Sequence, residues 1–341
     1  VSGEAGEIKV FRGEIGVFNE LTKEWTAYGE SVKTVEIKSS PLSLQAILYG
    51  SRTHDIEPGE ALAYAIRYKN NSTFTMQNVT ISAWLDEGAE ARTERLLQFS
   101  TLSAGDGGVF DERTRSLLWG PASNDALKEI EPGGGGEFTF RINTKSRPIV
   151  RIPQDKNFVV TLTSSIQAGT IPREFEGLDV SSEDILASKV SSQVLFSGRA
   201  VFRASSFVNS GPLPPRVGSK TTYTLAWEAR NFTNDLADVK IVVPLPENVS
   251  WENVFSPRDA RVTFDSVSRE IHWALGALAA GTGVVRPSAN IAVQVSILPS
   301  EVDVGKAVTL AGEARLSGRD TFTGRDTART VGVLTTELRE D

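Results

Sequence analysis

The sequence predicts an all-β protein built from antiparallel sandwiches in tandem. Three observations carry this: apolar residues alternate with period two over short runs, helical periodicity is scarce, and particular residues return at matched spacing in the two halves.

The alternating runs, in chain order, are Ile8 to Phe11, Val32 to Ile37, Leu62 to Asn70, Asn78 to Leu85, Glu137 to Thr144 and Phe158 to Ala168. In the second half they are Thr222 to Arg230, Asp238 to Leu245, Asn290 to Leu298, Ala307 to Leu316 and Arg329 to Leu338. Most run into Gly, Pro, Asn or Asp, as half-buried antiparallel strands do. Only Ser123 to Ile130 and Ser181 to Ser188 read as short helices, each with a serine near an N-cap position.

The repeat is specific. Gly59 precedes a strand with Tyr64, Ile66 and Tyr68, and Gly218 precedes one with Tyr223, Leu225 and Trp227; the strands run into turns at Asn70-Asn71 and Asn231. Val79-x-Ile81 matches Val239-x-Ile241, and Val160-Thr161-Leu162 matches Val308-Thr309-Leu310. The strongest match sets Phe110-Asp111-x-x-x-Arg115-x-Leu117-x-Trp119 against Phe264-Asp265-x-x-x-Arg269-x-Ile271-x-Trp273. A strand, a tight turn and a returning strand with a Trp between the sheets is the arrangement of an immunoglobulin-like sandwich, so the expected fold is tandem immunoglobulin-like antiparallel β-sandwiches. Tyr64, Phe110, Trp119, Tyr223, Phe264 and Trp273 are the expected core residues, and Asp111 and Asp265 are expected to hydrogen-bond their turns. The expected boundaries are 41–196 and 197–341. Residues 1–40 are too few for a sandwich and read as the tail of a preceding domain or as strands docked on the first repeat.

Composition narrows the function. The 341 residues exceed one ordinary core, and the formal charge of −7 comes with scattered Lys and Arg, so no continuous basic face for nucleic acid is expected. With no Cys, thiolate chemistry and thiolate zinc sites are excluded. No apolar run approaches the roughly 20 residues of a membrane-spanning helix.

The second copy resembles the bacterial surface-protein repeat known as domain of unknown function eleven. The residues are Val217-Gly218, Tyr223 to Asn231, Val239 to Pro246 (VKIVVPLP), Trp273 to Gly276 (WALG), Leu278 to Gly281 (LAAG) and Asp320 to Gly324. The first copy departs, with Trp84-Leu85-Asp86 in place of Leu-Pro and Pro132 followed by Gly133 to Gly136 in place of Ala-Gly. The resemblance covers about residues 41 to 341 and implies an exported bacterial protein of strung sandwiches at the cell surface.

Chemistry is sparse. His54 sits in a polar turn and His272 alternates out of phase with Ile271 and Trp273, so neither is expected to act as a catalytic base, and no enzymatic activity is expected. Asp106, Asp320 and Asp326 are weighed as calcium ligands and read as turn residues. Asp86-Glu87 and Glu301-Asp303 read as solvated edges, and Gly133–Gly136 as a flexible hairpin connection. Trp25 and Trp251, in less regular stretches, are the candidates for exposed ligand contact, whereas Trp84 and Trp227 read as core or sheet-face residues. The sequons at Asn70, Asn71, Asn78, Asn231 and Asn248 read as turn chemistry, and Lys69 and Lys240 are candidates for a lysine–asparagine cross-link. No cofactor or metal is expected. The expected partners are neighbouring sandwiches or copies of the chain, with a surface glycan or a host or partner-cell protein as the other class.

Overall fold

The computed structural model describes residues 8–36, 40–88, 94–176, 179–203 and 205–338. The chain opens with a long hairpin of β1 (Ile8–Asn19) and β2 (Glu24–Glu36), a two-stranded sheet that joins no other. Its apolar side chains lie open to solvent, Ile15 at 79% exposure and Tyr28 at 75%.

The first sandwich contains β3 (Leu42–Leu48), β4 (Ala61–Asn70), β5 (Met76–Asp86), β6 (Leu97–Ala104), β7 (Val109–Asp111), β8 (Ser116–Trp119), β9 (Glu129–Ile130), β10 (Gly135–Thr144), β11 (Val159–Thr170) and β12 (Ser182–Lys189). One sheet has the order β3-β4-β10-β6. The other runs β12-β11-β5-β8-β7, with β9 added beside β5. The second contains β13 (Val194–Val201), β14 (Thr221–Asn231), β15 (Leu236–Pro244), β16 (Val249–Ser256), β17 (Val262–Asp265), β18 (Glu270–Leu278), β19 (Ala289–Ile297), β20 (Thr309–Ala311), β21 (Ala314–Asp320), β22 (Asp326–Val331) and β23 (Leu334–Thr335). Its sheets run β13-β14-β19-β16 and β17-β18-β15-β21-β22. Apart from β9 in the first and the separate β20-β23 pair in the second, the two orders match strand for strand, and the protein is a tandem of immunoglobulin-like antiparallel sandwiches.

Alternation explains each core. On β4, Leu62, Tyr64, Ile66 and Tyr68 point inward, and on β14 Tyr223, Leu225, Trp227 and Ala229 do the same. Tyr64 stacks on Phe140 at 4.9 Å and Trp119 on Phe138 at 5.4 Å. Trp119 is fully buried and its indole N–H donates to Gly105 O at 3.0 Å, which removes the cost of burying that donor. Trp273 is 5% exposed, whereas Phe110 and Phe264 are half-buried and pack on the core rims.

The repeated turns are built alike. Asp111 Oδ1 accepts from the N–H groups of Arg113 (2.8 Å) and Thr114 (3.3 Å), and Asp265 Oδ1 from those of Val267 (2.8 Å) and Ser268 (3.3 Å). Arg115 and Arg269 both adopt positive φ, 54° and 57°, which closes each hairpin. Asn70 and Asn231 are fully buried at matching corners. Asn70 Nδ2 donates to Ile130 O and Phe74 O, and Asn231 Nδ2 to Leu278 O and Asn234 O.

Several expectations are corrected. The segment Ser181 to Ser188, expected to be helical, falls on strand β12 (Ser182–Lys189), because it pairs along β11 and buries Leu186. The Ser123 segment forms only a short 3-10 turn over Asp125–Leu127, capped by Asn124. The run Ala307 to Leu316 is not one strand: β20 pairs with β23 and β21 with β15, and the break at Gly312 brings its N–H to Pro244 O. Gly135 and Gly136 belong to β10, and a Cβ on Gly136 would meet the Tyr68 ring and hydroxyl at 2.7–3.1 Å. The second sandwich starts at Val194, so a division after Phe196 falls within β13. Glu87, expected at a solvated edge, is 5% exposed and accepts from the N–H groups of Arg95, Leu96 and Leu97 at 2.7–2.9 Å. Asp303 caps a 3-10 turn through Ser300.

Candidate functional site: the junction between the sandwiches

The segment Val190–Gln193 connects β12 to β13, and a buried polar cluster forms around it. On the first sandwich, Ile56 and Val190 make a parallel bridge, and Ser191 N–H donates to Ile56 O at 2.8 Å. From the second sandwich, the turn after β14 presents Asn234 and the end of β21 presents Asp320, 0% and 2% exposed. Asp320 Oδ2 accepts from Ser192 N–H (2.8 Å) and Asn234 Nδ2 (2.7 Å), while Oδ1 accepts from the N–H groups of Phe322 (2.9 Å) and Thr323 (3.1 Å). Asn234 Nδ2 also donates to Val190 O at 2.8 Å, and the Ser192 hydroxyl donates to Asn231 Oδ1. A buried carboxylate this fully bonded holds its surroundings in one arrangement.

Around the cluster the contacts are more exposed. Lys156 Nζ lies 2.6 Å from Asp235 Oδ2, and Asp235 Oδ1 accepts from Ala280 N–H at 2.8 Å. Burial disfavours the Asp235 carboxylate, but Lys156, the Ala280 N–H and Arg286 together outweigh it and hold its pKa below the ordinary value. Asn157 N–H donates to Thr233 O at 3.0 Å. Lys189 Nζ donates to Phe322 O at 2.9 Å and sits 4.8 Å from the centre of its ring. Arg325 reaches Glu57 at 3.2 Å. Val285 of the second sandwich packs on the first sandwich's core. The turn carrying Lys156 and Asn157 is braced by Asp155, which bonds Arg95 (2.8 Å) and the N–H groups of Arg151 and Ile152. Burial pushes the Asp155 pKa up, but those N–H groups and Arg95 prevail and lower it.

The remaining sequence candidates are dispersed. Trp25 is half-exposed on the hairpin opposite Phe18. Trp251 stacks between Phe255 (6.4 Å) and Phe264 (6.1 Å) against the second core. Trp227 is buried and Trp84 is 39% exposed on its sheet face. His54 bonds Glu60 at 2.9 Å, and His272 lies 3.4 Å from Glu270. Asp106 and Asp326 lie on the surface, both oxygens of Asp320 are taken by N–H donors, and among the described residues no group of three or more His, Asp or Glu gathers to hold a metal. Lys69 and Lys240 are exposed on their strands. The sequence reading weighed Asp320 for calcium and passed over Asn234, Asp235 and Lys156; the Asn-Asp pair following a strand-end Asn was the local sign available.

No family model matches the chain, and no curated protein matches it. Among similar solved structures is the C-terminal domain of the Streptococcus pyogenes antigen I/II-family protein AspA, at 11% identity and a TM-score of 0.34, covering 86% of this chain and 99% of that one. The likeness is too distant to transfer a role.

Proposed function

We propose that the chain is a non-catalytic structural and adhesive segment of a bacterial cell-surface protein, a rod of sandwiches serving as a stalk or as the subunit of a filament or layer. The observation that carries this reading is the junction: a buried, fully bonded Asp320 with Asn234 fixes the sandwiches end to end in one orientation. Rigid succession of units is what a spacer needs and a catalytic cleft does not. The resemblance of VKIVVPLP, WALG and LAAG to the surface repeat supports the same placement at the envelope.

Small-angle scattering of the purified chain is the test, with Asp320→Ala beside it. The expected result is one extended particle of fixed length for the wild type and a broadened distribution for the variant. A wild type that already samples many interdomain angles would sink the reading. A second reading, a glycan-binding adhesin module, draws on the exposed Trp25 and Tyr28 of the hairpin. Glycan-array binding that Trp25→Ala abolishes would favour it.

A further inference from the structure

At the far end of the second sandwich lies a groove of about 940 Å3, lined by Pro215, Arg216, Val217, Val304, Gly305 and Leu338 among others. Its segments are those that, on the first sandwich, receive the second. Glu60 N–H donates to Glu57 O, and at the matched position Ser219 N–H donates to Arg216 O. Asp155 N–H donates to Ile152 O and Asp303 N–H to Ser300 O, and each aspartate carboxylate caps its own turn. Two residues later, Asn157 and Gly305 both take positive φ, 59° and 75°. Asn157 is the residue whose N–H holds Thr233 of the second sandwich. The groove is therefore a second copy of the receiving face.

The two receiving faces differ in polarity, and so do the two ends available to fill them. In this register the counterpart of Lys156 is Val304, which is 66% exposed. The end of the second sandwich that docks on the first carries Asn234 and Asp235. The corresponding end of the first carries Phe74 and Thr75, because Asn70 Nδ2 bonds Phe74 O as Asn231 Nδ2 bonds Asn234 O. Phe74 packs edge-on against Phe175 at 5.5 Å, with Ile171 45% exposed nearby in sequence. Val304 at the Lys156 position and Phe74 at the Asn234 position thus put apolar side chains where the first junction has its ion-pair lysine and its amide latch; Thr75 stands at the Asp235 position, and the groove keeps Arg216, Lys306 and Glu337 in its lining.

We propose that the groove receives the Phe74 end of the first sandwich of a second copy of this chain, giving head-to-tail association. This rests on the structural reading above and names the faces that carry it. A head-to-tail contact uses two different surfaces, so it propagates unless it closes into a ring.

Sedimentation of the full chain over a concentration series tests this, with Val304→Asp to disable the groove and Phe74→Asp to disable the head. Ile171→Asp is a second head variant should Phe74→Asp unfold, as judged by its melting curve. The expected result is open-ended, concentration-dependent association of the wild type and its loss in each variant alone. Mixing the groove variant with a head variant should then restore a one-to-one dimer, since one intact head meets one intact groove. A wild type that stays monomeric throughout overturns the proposal, as does association that survives both variants or a mixture that stays monomeric. A rigid but monomeric rod would overturn it while leaving the stalk reading standing.

Discussion

Asn234, in the turn after β14, and Asp320, at the end of β21, meet at 2.7 Å and together grip the connecting segment at Val190 O and Ser192 N–H. The pair turns a covalent linker into a fixed joint. Its worth lies in satisfying the buried Ser192 N–H and Asn234 amide nitrogen, because a buried donor without a partner costs about 1–3 kcal/mol.

Asp320→Ala removes the acceptor for that grip and for the turn at Phe322 and Thr323. The expected loss is about 2–3 kcal/mol from the second sandwich, read by urea denaturation. Faster hydrogen exchange at Ser192, with little change inside the first core, should accompany it.

Acid should loosen the outer ring of the junction. The folded-state pKa of Asp235 is depressed, so its contribution is present above the unfolded value of about 3.9 and is lost as pH falls through the folded value. The expected outcome is an interdomain geometry constant from neutral pH down to about 4, with loosening below. In Lys156→Met, NMR titration of the Asp235 carboxyl should move upward toward the ordinary aspartate value.

Trp119→Ala and Trp273→Ala each empty the middle of one sandwich. Each should cost about 3–5 kcal/mol, confined to its own sandwich. Calorimetry of either variant should show one early transition and one near the wild-type temperature.

Asn70→Ala and Asn231→Ala test whether the matching corners act alike. The first strips donors from the carbonyls of Ile130, Phe74 and Glu131, the second from those of Leu278 and Asn234. A loss of about 1–3 kcal/mol is expected in both, and chemical denaturation of the pair checks it. Burial also places both sequons out of reach of any glycan on the folded chain.

Gly136→Ala sets a methyl against the Tyr68 ring. Overpacking of this kind costs about 1–3 kcal/mol, and the expected signature is a lowered melting temperature, with the losses of Gly136→Ala and Tyr68→Ala less than additive in the double variant.

The strands were legible because one face of each is buried: alternation on β4 and β14 alone orients Tyr64 and Tyr223 inward. The turns at Asp111 and Asp265 were legible too, since the carboxylate bonds N–H groups only a few residues on. Segment β12 was misread because Ser181 to Ser188 carries a helical start signal, while pairing with β11 decides its state. Glu87 was misread for a similar reason, its three N–H partners coming from the bend that leads into β6 and from the first residue of that strand.

By itself, then, the sequence determined what neighbours along the chain can decide: the strand period, the turn chemistry and the doubling of the pattern. Tertiary structure alone decided the junction, because Asp320 becomes a latch only when folding brings it to Ser192 and Asn234. Low dielectric in that cluster makes each satisfied hydrogen bond strong and each unsatisfied one costly. Nothing in the local spacing of an Asp in a Gly-Arg-Asp-Thr stretch distinguishes that role from a surface turn.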